Sequence, residues 1–433
     1  MRLGVHLYNT LLTLGAVGTA SLWGAVLAVK VKHRAGFLQK VTGRGPWGDP
    51  AARPPIWYHA VSVGEVMASL PLVRQILWDV PGRPLWISTV TATGQATARA
   101  RVPQASGHFY FPYDFPWIVD RVIHGLRPSL FITTETEIWP NCIWRLRRYG
   151  VPMAMVNGRI SDSSFKRYRR SRFLFRDVLE CFDLLCMQSE EAAKRIRAMG
   201  APGERVKVTG NLKFDQEIPA AVDQSMWRAR LGLRPQGPVW VAGSTHPGEE
   251  EIILRVFARL LNLQPALQLV LAPRAPERFD EVDELISRMG LSRTRRSRGN
   301  ERGTDQWPQV ILLDTIGELS QVYGVASVGF VGGSLIQHGG HNPLELAAHR
   351  RPVLFGPHME NFREIASLLL TEGGGMEVAH EEALEQALRT LLEVPGPCRD
   401  MGERAFQTLV AQRGAARRTL NAVRPLLGRC PWD

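Results

Sequence analysis

The chain alternates short apolar runs with amphipathic helical patterns, pauses, and then does so again. Apolar runs fall at Ile56–His59, Leu85–Val90, Phe109–Phe111, Leu130–Thr133, Met153–Val156, Leu184–Met187 and Val206–Thr209. Helical patterns such as Glu65–Leu77 and Glu190–Met199 separate most of them. This βαβ alternation predicts a mostly parallel, doubly wound sheet with helices on both faces. A polar, proline-containing stretch near 217–238 interrupts it. Strand patterns resume at Val239–Ala242, Leu267–Leu271, Val310–Leu313, Val328–Val331 and Val353–Phe355. Helical patterns at Glu249–Leu261, Glu277–Met289, Gly317–Tyr323 and Pro343–Ala348 lie between them. At 433 residues the chain has room for two such α/β domains. The expected division is 1–34, 35–217 and 218–433, with the last helices in the second domain. Sites in such sheets lie beyond the carboxyl ends of the strands, here expected to face a cleft between the domains.

The segment 1–34 stands apart. Leu7 to Val29 is almost free of charge and long enough to span a bilayer as a helix. Lys30, Lys32, His33 and Arg34 follow at once, so the positive-inside rule places the rest of the chain in the cytoplasm. A buried or interfacial helix is the alternative. The net charge of +12 suits an anionic partner, namely a nucleic acid, an anionic membrane or a phosphorylated substrate. Five scattered cysteines without metal-type spacing fit a reducing compartment.

Three motifs in the first half carry acid, base or cation chemistry. His59-Ala60-Val61-Ser62-Val63-Gly64-Glu65 runs from a strand end into a helix start, and Gly64 leaves room for a close approach. Glu65 is a candidate base, but Ser62 and Glu65 also have capping-box spacing, which would make Glu65 structural. Thr134-Glu135-Thr136-Glu137 follows the fourth strand. If extended, it would point Glu135 and Glu137 to one side, able to raise the proton affinity of a nearby carboxylate or to hold a cationic group. Otherwise they are helix-start acids favoured by the macrodipole. Gly210-Asn211-Leu212-Lys213-Phe214-Asp215 puts Lys213 where it could meet a phosphate or carboxylate, or simply be solvated.

The second half has loops of similar type after successive strands. Ala242-Gly243-Ser244-Thr245-His246 follows its first strand, and Pro273 and Arg274 follow its second. Arg274 could clamp a phosphate or carboxylate. Ile316, Gly317 and Glu318 follow the third. Gly332 and Gly333 follow the fourth and lead to Gly340, His341, Asn342, Pro343, Leu344 and Glu345. Asn342 fits an N-cap and Pro343 the first helical position, so free amides there would suit a nucleotide phosphate, with Glu345 reaching a ribose or capping. Neither a Walker lysine motif nor a G-x-G-x-x-G opens either domain, which disfavours kinases and ordinary dehydrogenases. No metal-ligand set stands out, although His338 and His341 are close. Arginine, lysine and aromatic residues interleave over 163–173, a pattern suited to lipid phosphates, RNA or a solvated face. The apolar segment upstream favours lipid. Arg293 to Trp307 reads as an exposed loop.

With these residues in view the sequence resembles the bacterial 3-deoxy-D-manno-octulosonic acid (Kdo) transferases. The matching strings are HAVSVGE at 59–65, TETEIWPN at 134–141, GNLKFD at 210–215, APR at 272–274, DTIGEL at 314–319 and FVGGSLIQHGGHNPLE at 330–345. The resemblance implies the GT-B fold, with two Rossmann-like domains. It implies inverting transfer of Kdo from CMP-Kdo to a lipid A precursor on the cytoplasmic face of the inner membrane. Glu65 would be the base, and Glu135 and Lys213 would stabilise the transition state with Glu137 beside them. Pro273, Arg274, Ile316, Gly317, Glu318 and Asn342 to Glu345 would hold CMP. Ser62, Gly64, Gly333, Gly340 and His341 complete the expected site. No cofactor, metal or nucleic acid is expected; anionic inner-membrane lipids are. The alternatives are another nucleotide-sugar transferase of this architecture, or a non-catalytic lipid- or RNA-binding membrane protein.

Overall fold

The computed structural model describes residues 4–6, 8–16, 18, 36–47, 53–161, 164–166, 168, 172–298 and 307–432. Most of the expected anchor lies outside them, as does much of the basic run 163–173. Among the described residues, no helix is long and apolar enough to cross a membrane.

The chain divides into two compact units, Met1–Gln216 with Gln412–Asp433, and Glu217–Ala411. The C-terminal segment, expected in the second domain, therefore belongs to the first. Its helix Ala415–Val423 buries Ala415, Ala416, Leu420 and Val423 against the first unit's sheet and the helix Val63–Asp79. Asp215 fixes the start of that helix, accepting from the amides of Gly414 (2.6 Å) and Ala416 (2.5 Å).

The first unit's strands are β1 Ile56–His59, β2 Leu85–Thr89, β3 Gly107–Tyr110, β4 Leu130–Thr134, β5 Met153–Gly158, β6 Leu184–Met187 and β7 Val206–Val208. They pair in parallel in the order β3-β2-β1-β4-β5-β6-β7. Alternation along the strands serves two cores. Ile56 and Tyr58 of β1 join one apolar cluster, and Trp57 joins the other. Burial on both faces is what an all-parallel sheet requires, and it explains why these strands read as continuous apolar runs.

The second unit's strands are β8 Val239–Thr245, β9 Gln268–Pro273, β10 Arg293–Arg295, β11 Val310–Leu312, β12 Val328–Val331, β13 Val353–Phe355 and β14 Gly375–Glu377. Their order is β10-β11-β9-β8-β12-β13-β14, again parallel throughout. Two were missed in the sequence. β10 opens the stretch expected as an exposed loop; its arginines are held by Asp283 and Asp280 at 2.8 and 2.6 Å. β14 is a three-residue edge whose Gly375 and exposed Met376 give no strand pattern. Strand order reverses between β1 and β4 in one unit and between β8 and β12 in the other. At such a switch point the two following loops diverge and leave a crevice.

Replacing Asp215 with Ala strips two amides of their acceptor at a helix start, and should cost about 2 kcal/mol in chemical denaturation. An unchanged midpoint would show that the apolar face alone holds the helix.

Candidate active site

Glu65 lies at the first unit's switch point. It sits in the first turn of Val63–Asp79, just after β1. Ser69 anchors that helix at 3.1 Å to Thr134, which in turn donates to the Tyr58 hydroxyl at 3.2 Å. The end of β4 and the Glu65 helix are thus tied together. The expected capping box does not form: the Ser62 side chain caps nothing, and Glu65 Oε2 accepts from the Val61 amide at 2.8 Å instead. This is the carboxylate's one hydrogen bond among the described residues. Burial raises its proton affinity to about 8, the carboxylates of Glu135 and Glu137 add to the rise, and the Val61 amide and Arg159 oppose it. Gly64 is exposed and a Cβ there would meet nothing closer than Ser62 Oγ at 3.9 Å, so the fold itself does not demand glycine.

Glu135 and Glu137 occupy a turn before the helix Pro140–Arg148. Neither belongs to a strand or a helix. Glu135 is left-handed at φ 56°, with its amide held by the Val156 carbonyl at 2.9 Å. Its carboxylate meets Arg159 Nε at 2.8 Å, and the Thr136 hydroxyl donates to the Arg159 carbonyl. Burial, then the Glu135 charge, raises the Glu137 carboxyl. Lys213 lies on a 3-10 turn, Leu212–Asp215, packed against the Glu65 helix. Asn157 sets that turn. It is fully buried at a bulge in β5 with φ 54°, and its Oδ1 accepts from the Leu212 amide at 2.9 Å. Asn211 Oδ1 accepts from the Lys213 amide at 3.0 Å.

In the second unit the switch point is organised by Glu249, a residue the sequence reading passed over. The first turn of its helix, Glu249–Leu261, holds three glutamates that look like dipole partners. Yet Glu249 is fully buried and accepts four amides: His246 (3.0 Å) and Gly333 (2.6 Å) on one oxygen, Ser334 (2.9 Å) and Leu335 (3.0 Å) on the other. It welds the loop after β8 to the loop after β12. Gly332 permits this contact, because a Cβ there would lie 2.3 Å from the Ser244 carbonyl oxygen.

Over this weld stand His246, His338 and His341. The Nε2 atoms of His246 and His341 are 2.8 Å apart, and their rings are nearly parallel at 4°. Arg274 follows β9 with an exposed guanidinium, and its charge acts on His246, His341 and Glu345. Burial raises Glu345 to about 7, opposed by Arg274 and Asn342. The expected free amides at 342–345 are only partly there. The helix Leu344–Ala348 has five residues, Pro343 is its N-cap, and Asn342 Oδ1 already accepts from Leu344 at 3.2 Å. Gly340, at φ 69°, shapes the approach to them. Pro273 is buried at the end of β9. Ile316 is 83% exposed beside Gly317 at φ 89°. Glu318 is held elsewhere, by Arg230 (2.9 Å) and Arg296 (3.0 Å). No group of three potential metal ligands occurs among the described residues.

Two parallel, doubly wound units, each with its candidate site loops at a switch point, make up the GT-B fold. A glycosyltransferase from Rickettsia africae shares the fold at TM-score 0.59 and 13% identity, covering 87% of this chain and 99% of that one. A UDP-GlcNAc 2-epimerase from Neisseria meningitidis does so at 0.59 and 11%, covering 86% and 100%. The family described as 3-deoxy-D-manno-octulosonic-acid transferase (kdotransferase) matches residues 30–216. The 3-deoxy-D-manno-octulosonic acid transferase of Haemophilus influenzae is 38% identical over 91% of this chain and 92% of its own length. That of Bordetella pertussis is 35% identical over 92% and 94%. The chain belongs to the Kdo transferase family.

Two substitutions test the contrast between these carboxylates. Glu249→Gln leaves two of four amides facing an NH2 group and should cost about 2–4 kcal/mol in denaturation. Glu65→Gln should behave oppositely. A carboxyl raised from 4.5 to about 8 favours the folded state while protonated, and that stability is lost as pH rises through about 8. At pH 9 the Glu65→Gln protein should therefore melt no lower than wild type. A clearly lower Tm would mean that Glu65 serves the helix rather than the site.

Proposed function

We propose that the chain transfers Kdo from CMP-Kdo to a tetraacyl disaccharide lipid A precursor, with inversion and with Glu65 as general base. The observation that carries this is the state of Glu65: a half-buried carboxylate at a switch point, with one hydrogen bond and a proton affinity raised to about 8. A base must have free acceptor capacity and a proton affinity near the working pH. Glu65 takes the proton of the acceptor hydroxyl as that oxygen attacks the anomeric carbon of Kdo, and the bond from that carbon to the CMP phosphate breaks. Positive charge developing on the sugar favours a nearby Glu135, while Lys213 offers a cation to anionic groups. Glu137 supports the same field.

CMP departs as a phosphate and gains from fixed positive charge without needing a strong acid. In this reading Arg274 faces the phosphate, and His341 and the 333–345 loop surround it. Glu345 takes the ribose, and the exposed Ile316–Glu318 turn takes part of the nucleotide. Ser62 and Gly64 line the approach to Glu65. The chain works at the cytoplasmic face of the inner membrane. Support comes from the apolar segment before Lys30 and from Leu11 and Leu14, which stand 60% and 65% exposed on the helical residues 8–16.

The test is transfer by purified protein, in detergent, from CMP-Kdo to the lipid precursor, with the product read by mass. Glu65→Gln should lower the rate by roughly 10²–10⁴. Because the base acts deprotonated, wild-type kcat at saturating donor should climb with pH and level off above about 8. Full activity in the Glu65→Gln protein removes Glu65 from the chemistry. No transfer by wild type counts against the whole reading.

A further inference from the structure

We propose that His246 and His341 act as one proton-sharing clamp on the phosphate of the departing nucleotide, CMP, taking up a single proton from solvent as that dianion is held beside Arg274. The inference rests on the nucleotide reading above and adds a residue, His246, to it. Its basis is geometric. The two Nε2 atoms lie 2.8 Å apart, so one ring must donate an Nε2–H and the other must accept it. Neither ring is free to turn away. Gly333 lies between them, its Cβ position 3.3 Å from Cδ2 of each, and Glu249 holds both the Gly333 and His246 amides. The His338 ring covers His246 at 3.8 Å between centroids.

The arginines Arg274 and Arg278 and the ring of His338 face the pair, with Arg278 engaged by Glu250 and Glu281, while the carboxylate beneath the pair, Glu249, is taken up by four backbone amides. Burial first, then these cations and the neighbouring rings, lowers His246 to about 4 and His341 to about 3, so the empty pair is neutral at pH 8. A phosphate dianion supplies the missing negative charge. The proton enters at Nδ1 of the ring that donates its Nε2–H. That ring becomes an imidazolium, its Nε2–H still bonds the second ring, and its Nδ1 turns from acceptor into donor. No other bond changes. The same charge would meet the leaving phosphate as it gains its second negative charge.

The experiment is calorimetric titration of the full chain with CMP at pH 8, in buffers of different protonation enthalpy. Free CMP is already a dianion there, since the second phosphate pKa is near 6. Glu345, at about 7, has largely titrated. Wild type should take up about one proton per CMP, and its Kd should weaken about tenfold per pH unit between 8 and 9. Cytidine, which lacks the phosphate, should bind without proton uptake. His246→Gln and His341→Gln should each abolish the uptake and flatten the pH dependence. CMP binding with no uptake and a flat Kd in wild type overturns the clamp and leaves the nucleotide site standing. It needs no variant to fold. Failure of wild type to bind CMP at all overturns the nucleotide site and the clamp together.

Discussion

A buried carboxylate must find donors, and how many it finds divides the acidic residues of this protein into two kinds. Glu249 accepts four amides, which is all that two oxygens can readily hold. Asp215 takes two from the C-terminal segment, and Asp114 takes the amides of Asn141 and Cys142 at 3.0 and 2.8 Å. Each joins backbone segments that are remote in sequence, and none of these bonds can be given up cheaply. Glu65 is half-buried with a single amide and two carboxylates in its field. The first kind builds the loops; the second is left with acceptor capacity.

These loops are where they are because of strand order. In an all-parallel sheet every strand ends on the same edge, and only at the reversal do adjacent loops part. The reversals at β1/β4 and β8/β12 select four loops from fourteen strand ends. Glu65 follows β1 and Glu135 follows β4; His246 and Glu249 follow β8, and Gly333 follows β12. The apolar strands that make the two cores therefore also fix which side chains can share a site. A polar substitution in β1 or β12 would disturb the chemistry through register rather than through contact.

The alternation of apolar runs made the two-domain plan legible, and strands such as Ile56–His59 and Val353–Phe355 were readable to the residue. What stayed hidden lacked a local signal. The arginines of β10 are held in place by acids on a preceding helix, and β14 is three residues long. The C-terminal helix reads as an ordinary amphipathic segment; its place in the first unit depends on Asp215, two hundred residues away. Glu65, Glu135, Lys213 and Arg274 were legible as charges beyond strand ends. Glu249 and Arg159 were not. Glu249 is one of three adjacent glutamates, and only the 333–335 amides distinguish it. Arg159 lies beyond β5, and only the left-handed turn at Glu135 brings the carboxylate to it.

That last pair sets how useful Glu65 can be. The charge of Glu135 pushes the Glu65 proton affinity up, and Arg159 pulls it down. With Glu135 unpaired, Glu65 would hold its proton further into the alkaline range. With Glu135 absent, Glu65 would lie lower and be a weaker proton acceptor. A partly compensated ion pair one strand away answers both demands. It does so through backbone geometry, since the Glu135 amide is held by β5 through Val156 and the Arg159 carbonyl by Thr136. The left-handed turn at Glu135 therefore matters beyond the turn itself: it holds this carboxylate 2.8 Å from Arg159 while its charge still raises the Glu65 carboxyl.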